Sequence, residues 1–181
     1  MTNNKFIKKL DDFFDMTKEA FENPLPIKWV DRSNQLIGLF EVNGSVYQIN
    51  CHEKANKIWK YDFYIVEKIK NSIVLSPELT GKEKDKFRVL PTILIGLDYF
   101  IKKKSPDSII MGATDRSKGR KKIYESYLRD ISLKSNYGFY TRVYQSSDDI
   151  SDIKQIFVLY KKSIDKEVLS NVIIKCIEEE K

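Results

Sequence analysis

Apolar residues along the chain recur in two rhythms. From residue 5 to 22, Phe6, Leu10, Phe13, Phe14 and Phe21 fall at helical spacing with Lys and Asp between them. That pattern predicts an amphipathic helix, ended by Pro24 and Pro26. Its second half is acidic (Asp11, Asp12, Asp15, Glu19, Glu22), which suits packing on the domain better than an anionic lipid surface. Residues 27–69 then alternate with a period of two and read as an antiparallel meander. Asn43-Gly44 marks a two-residue turn, because both central positions of a type I′ turn need positive φ. With Val42 facing Ser45, Phe40 meets Tyr47, Gly38 meets Ile49 and Leu36 meets Cys51, on one mostly apolar face. Ile27–Val30 and Tyr61–Glu67 flank this hairpin, and Ile73–Leu75 is a short further strand.

The rhythm changes after the polar loop Thr80–Lys86. Leu90, Ile93, Leu94, Leu97 and Ile101 predict a helix with Pro91 in its first turn, closed by Lys102, Lys103 and Lys104 at the negative end of its dipole. Ile109–Gly112 is a short apolar, central strand. A helix follows from about Ser117 to Ser132, then strands over Gly138–Tyr144 and Gln155–Tyr160, with Asp148, Asp149 and Asp152 in the turn between them. A last helix, about Asp165–Glu179, buries Val168, Leu169, Val172, Ile173 and Cys176. A meander joined to a strand–helix–strand–helix unit is an α+β fold with a mixed, mostly antiparallel sheet.

Composition narrows the class. With 181 residues, 41% of them hydrophobic, the chain supports one domain and one core without disulfide or metal staples. Cys51 and Cys176 lie far apart, with no CxxC and no Cys/His cluster, so they read as buried reduced thiols of a cytoplasmic protein and predict no metal site. The sole histidine, His52, adjoins Cys51, but strand neighbours point to opposite faces and form no dyad. No apolar run has the length of a signal peptide or membrane span. The net charge of +6 permits an anionic partner without requiring one.

One stretch carries a resemblance. Phe87-Arg88-Val89-Leu90-Pro91-Thr92-Ile93, a helix, Ser108 to Thr114 ending Gly112-Ala113-Thr114, and then Gly119-Arg120-Lys121-Lys122-Ile123-Tyr124 resembles a pattern found in short, uncharacterised bacterial and phage proteins. That pattern reads F-x-V-x-x-T-(V/I), an amphipathic helix, a strand ending G-(S/A)-T, and R-x-x-(L/I)-Y opening a helix. Ile123-Tyr124 with Tyr137-Gly138-Phe139 is also similar to the L-Y-x-x-x-G-F signature of GNAT (N-acetyltransferase-like) enzymes. The likeness covers about residues 85–140. It implies a single GNAT-like domain over 1–181: an N-terminal helix (1–24), a meander (25–76), a GNAT-like core with two central helices (85–145), and a last strand with a C-terminal helix (146–181).

The resemblance also implies where chemistry would sit. GNAT enzymes hold the acetyl-CoA pyrophosphate on an (R/Q)-x-x-G-x-(G/A) loop opening the central helix, where glycine lets backbone N–H groups approach the anion. Here Arg88 keeps the basic position, but the glycines are missing and Pro91 removes a donor. No cofactor is therefore expected, and acetyl-CoA is disfavoured. Tyr124 stands at the position of the tyrosine that protonates the leaving thiolate, and Glu67 or Glu41 is the general base on a strand, if the chain is an acyltransferase at all. A basic segment, Arg116, Lys118, Arg120, Lys121 and Lys122, replaces the shorter loop of the pattern and approaches a helix N-terminus, an arrangement that suits an anion.

Three functions follow. The first is a non-catalytic GNAT-like binding protein of a bacterial or phage system, acting on a protein partner or by self-assembly into a homo-oligomer. The second binds nucleic acid, a nucleotide or phosphate through residues 116–122, with Arg88 as a further contact. The third is a divergent acyl-CoA-dependent N-acyltransferase using Tyr124 and Glu67. None requires a membrane.

Overall fold

The computed structural model describes residues 23–69, 72–76, 86–114, 118–145 and 153–178. The helix expected over 5–22 and the aspartates of the 146–152 turn lie outside them. The elements in chain order are β1 (Lys28–Arg32), β2 (Gln35–Val42), β3 (Ser45–Ala55), β4 (Ile58–Ile69), β5 (Ser72–Ser76), α1 (Lys86–Lys104), β6 (Ser108–Thr114), α2 (Lys118–Lys134), β7 (Tyr137–Gln145), β8 (Ile153–Lys161) and α3 (Lys166–Glu178). The eight strands form one sheet in the order β1-β2-β3-β4-β6-β8-β7, and β5 pairs with β4. This is the α+β, mostly antiparallel architecture that the sequence pattern predicts.

Turn chemistry explains the meander. Asn43 and Gly44 have φ of 48° and 79°, the left-handed pair that a type I′ turn needs. The register follows: Phe40 stacks on Tyr47 at 5.2 Å between ring centroids. Leu36, Phe40 and Val42 alternate inward on β2, as do Tyr47, Ile49 and Cys51 on β3. A second two-residue turn, Asn56-Lys57, also has positive φ at both positions (38° and 64°). Glu53 Oε1 accepts the Lys57 N–H at 2.7 Å and steadies that turn.

β4 and β6 form a parallel pair, held over three residues: Ile58↔Ser108, Trp59↔Ile109 and Lys60↔Ile110. β5 pairs β4 further along, from Ile65↔Ser76 to Ile69↔Ser72. β6 and β8 are antiparallel through seven pairs, Ser108↔Tyr160 to Thr114↔Lys154.

The chain clusters into two compact units: residues 1–32, 36–50 and 63–103, and residues 33–35, 51–62 and 104–181. In the first, α1 buries Val89, Ile93, Leu94, Leu97 and Phe100 completely. Trp29 of β1 stacks on Tyr99 of α1 at 4.7 Å, and Lys103 pairs with Asp31 at 3.6 Å. In the second unit the sheet is covered on both faces. Ile58, Ile110, Ile156 and Val158 pack with Leu169 and Ile173 of α3, while Phe157 meets Tyr124 of α2 edge-on at 5.8 Å. Burial on both faces is why β6 and β8 read as continuous apolar runs rather than alternating ones.

Two details correct the sequence reading. α1 begins at Lys86, so Pro91 is its sixth residue and not part of its first turn. Val168 is exposed rather than buried, because Asp165 Oδ1 caps α3 by accepting the N–H groups of Glu167 and Val168 at 2.8 and 3.1 Å and places Val168 in the solvent-facing first turn. No described helix is long and apolar enough to cross a membrane.

Candidate functional site

The residues that the motifs single out divide between the two units. In the first unit, the opening turns of α1 are spent on the chain's own backbone. The Arg88 guanidinium donates from Nη2 to the Asn23 carbonyl at 3.2 Å. Thr92, fully buried, accepts the Leu25 N–H on Oγ1 at 3.1 Å. Residues 23–25 thus form a strap bonded to Arg88 and Thr92 at this helix start. Thr92 is the T of the F-x-V-x-x-T-(V/I) pattern, but the strap it holds had no signal there. The strap's one trace was Pro24 and Pro26, which hold that segment extended and outside any helix. Glu67 lies on β4 opposite Val74 of β5, half-buried.

In the second unit, Tyr124 sits in α2 with 1% of its surface exposed. It belongs to a buried polar group that the sequence did not bring together. Burial pushes the Tyr61 phenol well above its ordinary range, with Cys51, Tyr124 and Tyr127 close enough to add to the shift. Burial likewise pushes the Cys51 thiol up, reinforced by Asp62 and opposed by Lys104. Asp62 Oδ2 pairs with Lys60 at 3.4 Å, and the Lys104 ammonium lies 5.5 Å from the Trp59 ring centre. A thiol held neutral is a poor nucleophile, and a buried phenol with a raised pKa is a weak proton donor at neutral pH.

Of the basic segment, Arg116 lies outside the described residues. Lys118, Arg120 and Lys122 fall in the first two turns of α2, but their side chains are outside the described ones. Lys121 is half-buried. Tyr124 and Lys121 belong to the second unit, and Arg88 and Glu67 to the first. Among the described residues, no group of three or more His, Cys, Asp or Glu is placed to hold a metal ion.

No protein-family model matches the chain, and no curated protein matches it. Among solved structures it is similar to a point mutant of the spermidine N-acetyltransferase SpeG from Vibrio cholerae. That likeness has 12% identity and a TM-score of 0.34, and covers 85% of this chain and 73% of that one. The fold described above rests on the chain's own strand order and registers.

Proposed function

We propose that the chain is a non-catalytic binding protein with a GNAT-like α+β scaffold, acting through a protein partner or through its own copies. One observation carries this reading. The helix start where the resemblance would seat an acyl donor holds no glycine, and Arg88 and Thr92 are bonded to Asn23 and Leu25. An anion arriving there would share the Arg88 guanidinium with the Asn23 carbonyl, and the backbone gains no close approach without glycine. The buried setting of Tyr124 points the same way, because a general acid has to reach the atom it protonates.

Thermal unfolding with and without millimolar acetyl-CoA tests the reading. The expected result is an unchanged midpoint. A ligand at 100 times its Kd would stabilise by about 2.7 kcal/mol, a shift of roughly 5–10 °C for a chain of this length. A shift of that size, reduced in Arg88→Ala, would replace the binding reading with the acyltransferase one.

A further inference from the structure

β5 is a short strand with an uncovered apolar surface. It pairs with β4 along one edge, and its other edge meets no strand among the described residues. Ile73, Val74 and Leu75 are 73%, 40% and 41% exposed. Neighbours on a strand point to opposite faces, so neither face of β5 is fully covered. A docked helix would cover one face only. A strand added to the free edge would shield side chains on both faces and satisfy the open N–H and C=O groups as well.

The residues of β5 say which strand that is. Ser72-Ile73-Val74-Leu75-Ser76 has the same chemistry read in either direction. An antiparallel two-fold through Val74 sets Val74 against Val74 of the second copy, Ile73 against Leu75, and Ser72 against Ser76. Every cross-strand pair is then apolar on apolar or hydroxyl on hydroxyl, and no charge meets a like charge. The terminal strand β1 contrasts with this. The same operation about Val30 would set Lys28 against Arg32, a repulsion of the kind that guards sheet edges. A two-fold interface must be self-complementary, and β5 meets that condition.

We infer that two copies of the chain associate through β5, antiparallel about Val74, so that their sheets join. This names the partner left open by the proposed function and in that sense rests on it. The two are separable in the test. Acetyl-CoA binding by an intact dimer would remove the non-catalytic reading alone, and a monomer without acetyl-CoA binding would remove the dimer alone.

The measurement is the solution mass of the full chain by light scattering across a concentration series. The expected mass climbs from one chain toward two. Val74→Lys is expected to stay at one chain throughout with an unchanged circular dichroism spectrum, and Val74→Thr, which keeps a β-branched side chain, to retain the dimer. Cysteine substitution then reads the register. Under mild oxidation Val74→Cys should form a covalent dimer. Ile73→Cys alone should not, whereas Ile73→Cys mixed with Leu75→Cys should. Wild type, with Cys51 and Cys176 buried, is the blank. A monomer at every concentration, a dimer that survives Val74→Lys, or cross-linking of Ile73→Cys with itself would overturn the inference.

Discussion

The Trp29 ring lies where a side chain on Gly38 would have to go. A Cβ placed on Gly38 would come 2.7 Å from Cζ3 and 2.9 Å from Cη2 of Trp29, and 2.8 Å from Cγ2 of Ile27. The ring cannot swing away without loss, because its other face stacks on Tyr99. Glycine in a strand otherwise weakens it by about 0.5–1 kcal/mol relative to alanine. Here the vacant side supplies the slot through which β1 and α1 of the first unit meet over β2. Gly38→Ala is expected to destabilise by about 1–3 kcal/mol, the range for overpacking a filled core. Gly112, with nothing within 4 Å of its own Cβ position, is the control: Gly112→Ala is expected to be neutral or slightly stabilising. Denaturant midpoints measure both. Equal effects at the two sites would remove the Trp29 slot as the reason for glycine at 38.

The strap over α1 makes a second prediction. Thr92→Val keeps shape and burial but deprives the Leu25 N–H of its acceptor. A hydrogen-bond donor left unpaired costs about 1–3 kcal/mol, or a fall of several degrees in Tm for a chain of this length. Arg88→Ala removes an exposed bond to the Asn23 carbonyl and is expected to cost less, under about 1 kcal/mol. A larger loss at Arg88 than at Thr92 would mean that the guanidinium, rather than the buried hydroxyl, holds the strap.

Much of the scaffold was legible along the chain, and the reasons are local. Asn43-Gly44 announces its turn because few residue pairs tolerate two positive φ angles. The register of β2 and β3 then follows by counting, as the stacked Phe40–Tyr47 pair shows. The turn at Asn56-Lys57 went unread because lysine at a φ of 64° carries no such signature; Glu53, four residues back, supplies the stabilising contact. Pro91 misled for a related reason. Proline marks a first turn, but α1 accepts it one turn later. The candidate site was harder still. Arg88 and Thr92 are bonded to partners 65 and 67 residues away, and the grouping of Cys51, Tyr61, Asp62, Lys104 and Tyr124 exists only once the strands are paired. No periodicity encodes such distances.

Buried thiols give a third prediction. Cys51 is inaccessible and Cys176 is 8% exposed, and burial keeps the Cys51 thiol protonated well into the alkaline range. Thiolate is the reactive form. At pH 8 the native protein is expected to react slowly, if at all, with a disulfide reagent, and to release two equivalents at once in denaturant. Rapid native labelling of Cys51 would show that the cluster opens to solvent and would reinstate it as a reactive site.

The fourth prediction concerns alkaline stability and Tyr137. Its hydroxyl donates to the Pro106 carbonyl at 2.6 Å, and burial, with Asp107 nearby, pushes its phenol up to about 12 from an ordinary value of 10.0. A raised phenol pKa means that the fold favours the neutral, proton-donating form. The associated stability is complete below pH 10 and is lost as pH rises through about 12. Tyr137→Phe removes the donor, so at pH 7 it is expected to be less stable by about 1 kcal/mol. The gap between wild type and variant should hold to about pH 10, then shrink and reverse as pH rises toward 12. Tyr61 and Tyr140 also have raised phenol pKa values, chiefly through burial. Both proteins therefore share a falling alkaline limb, and only the difference between them reports Tyr137. Urea midpoints at steps from pH 7 to 12 supply that difference. A gap that stays constant to pH 12 would show that the phenol ionises no differently in the folded and unfolded chains, leaving the bond to Pro106 as a matter of packing alone.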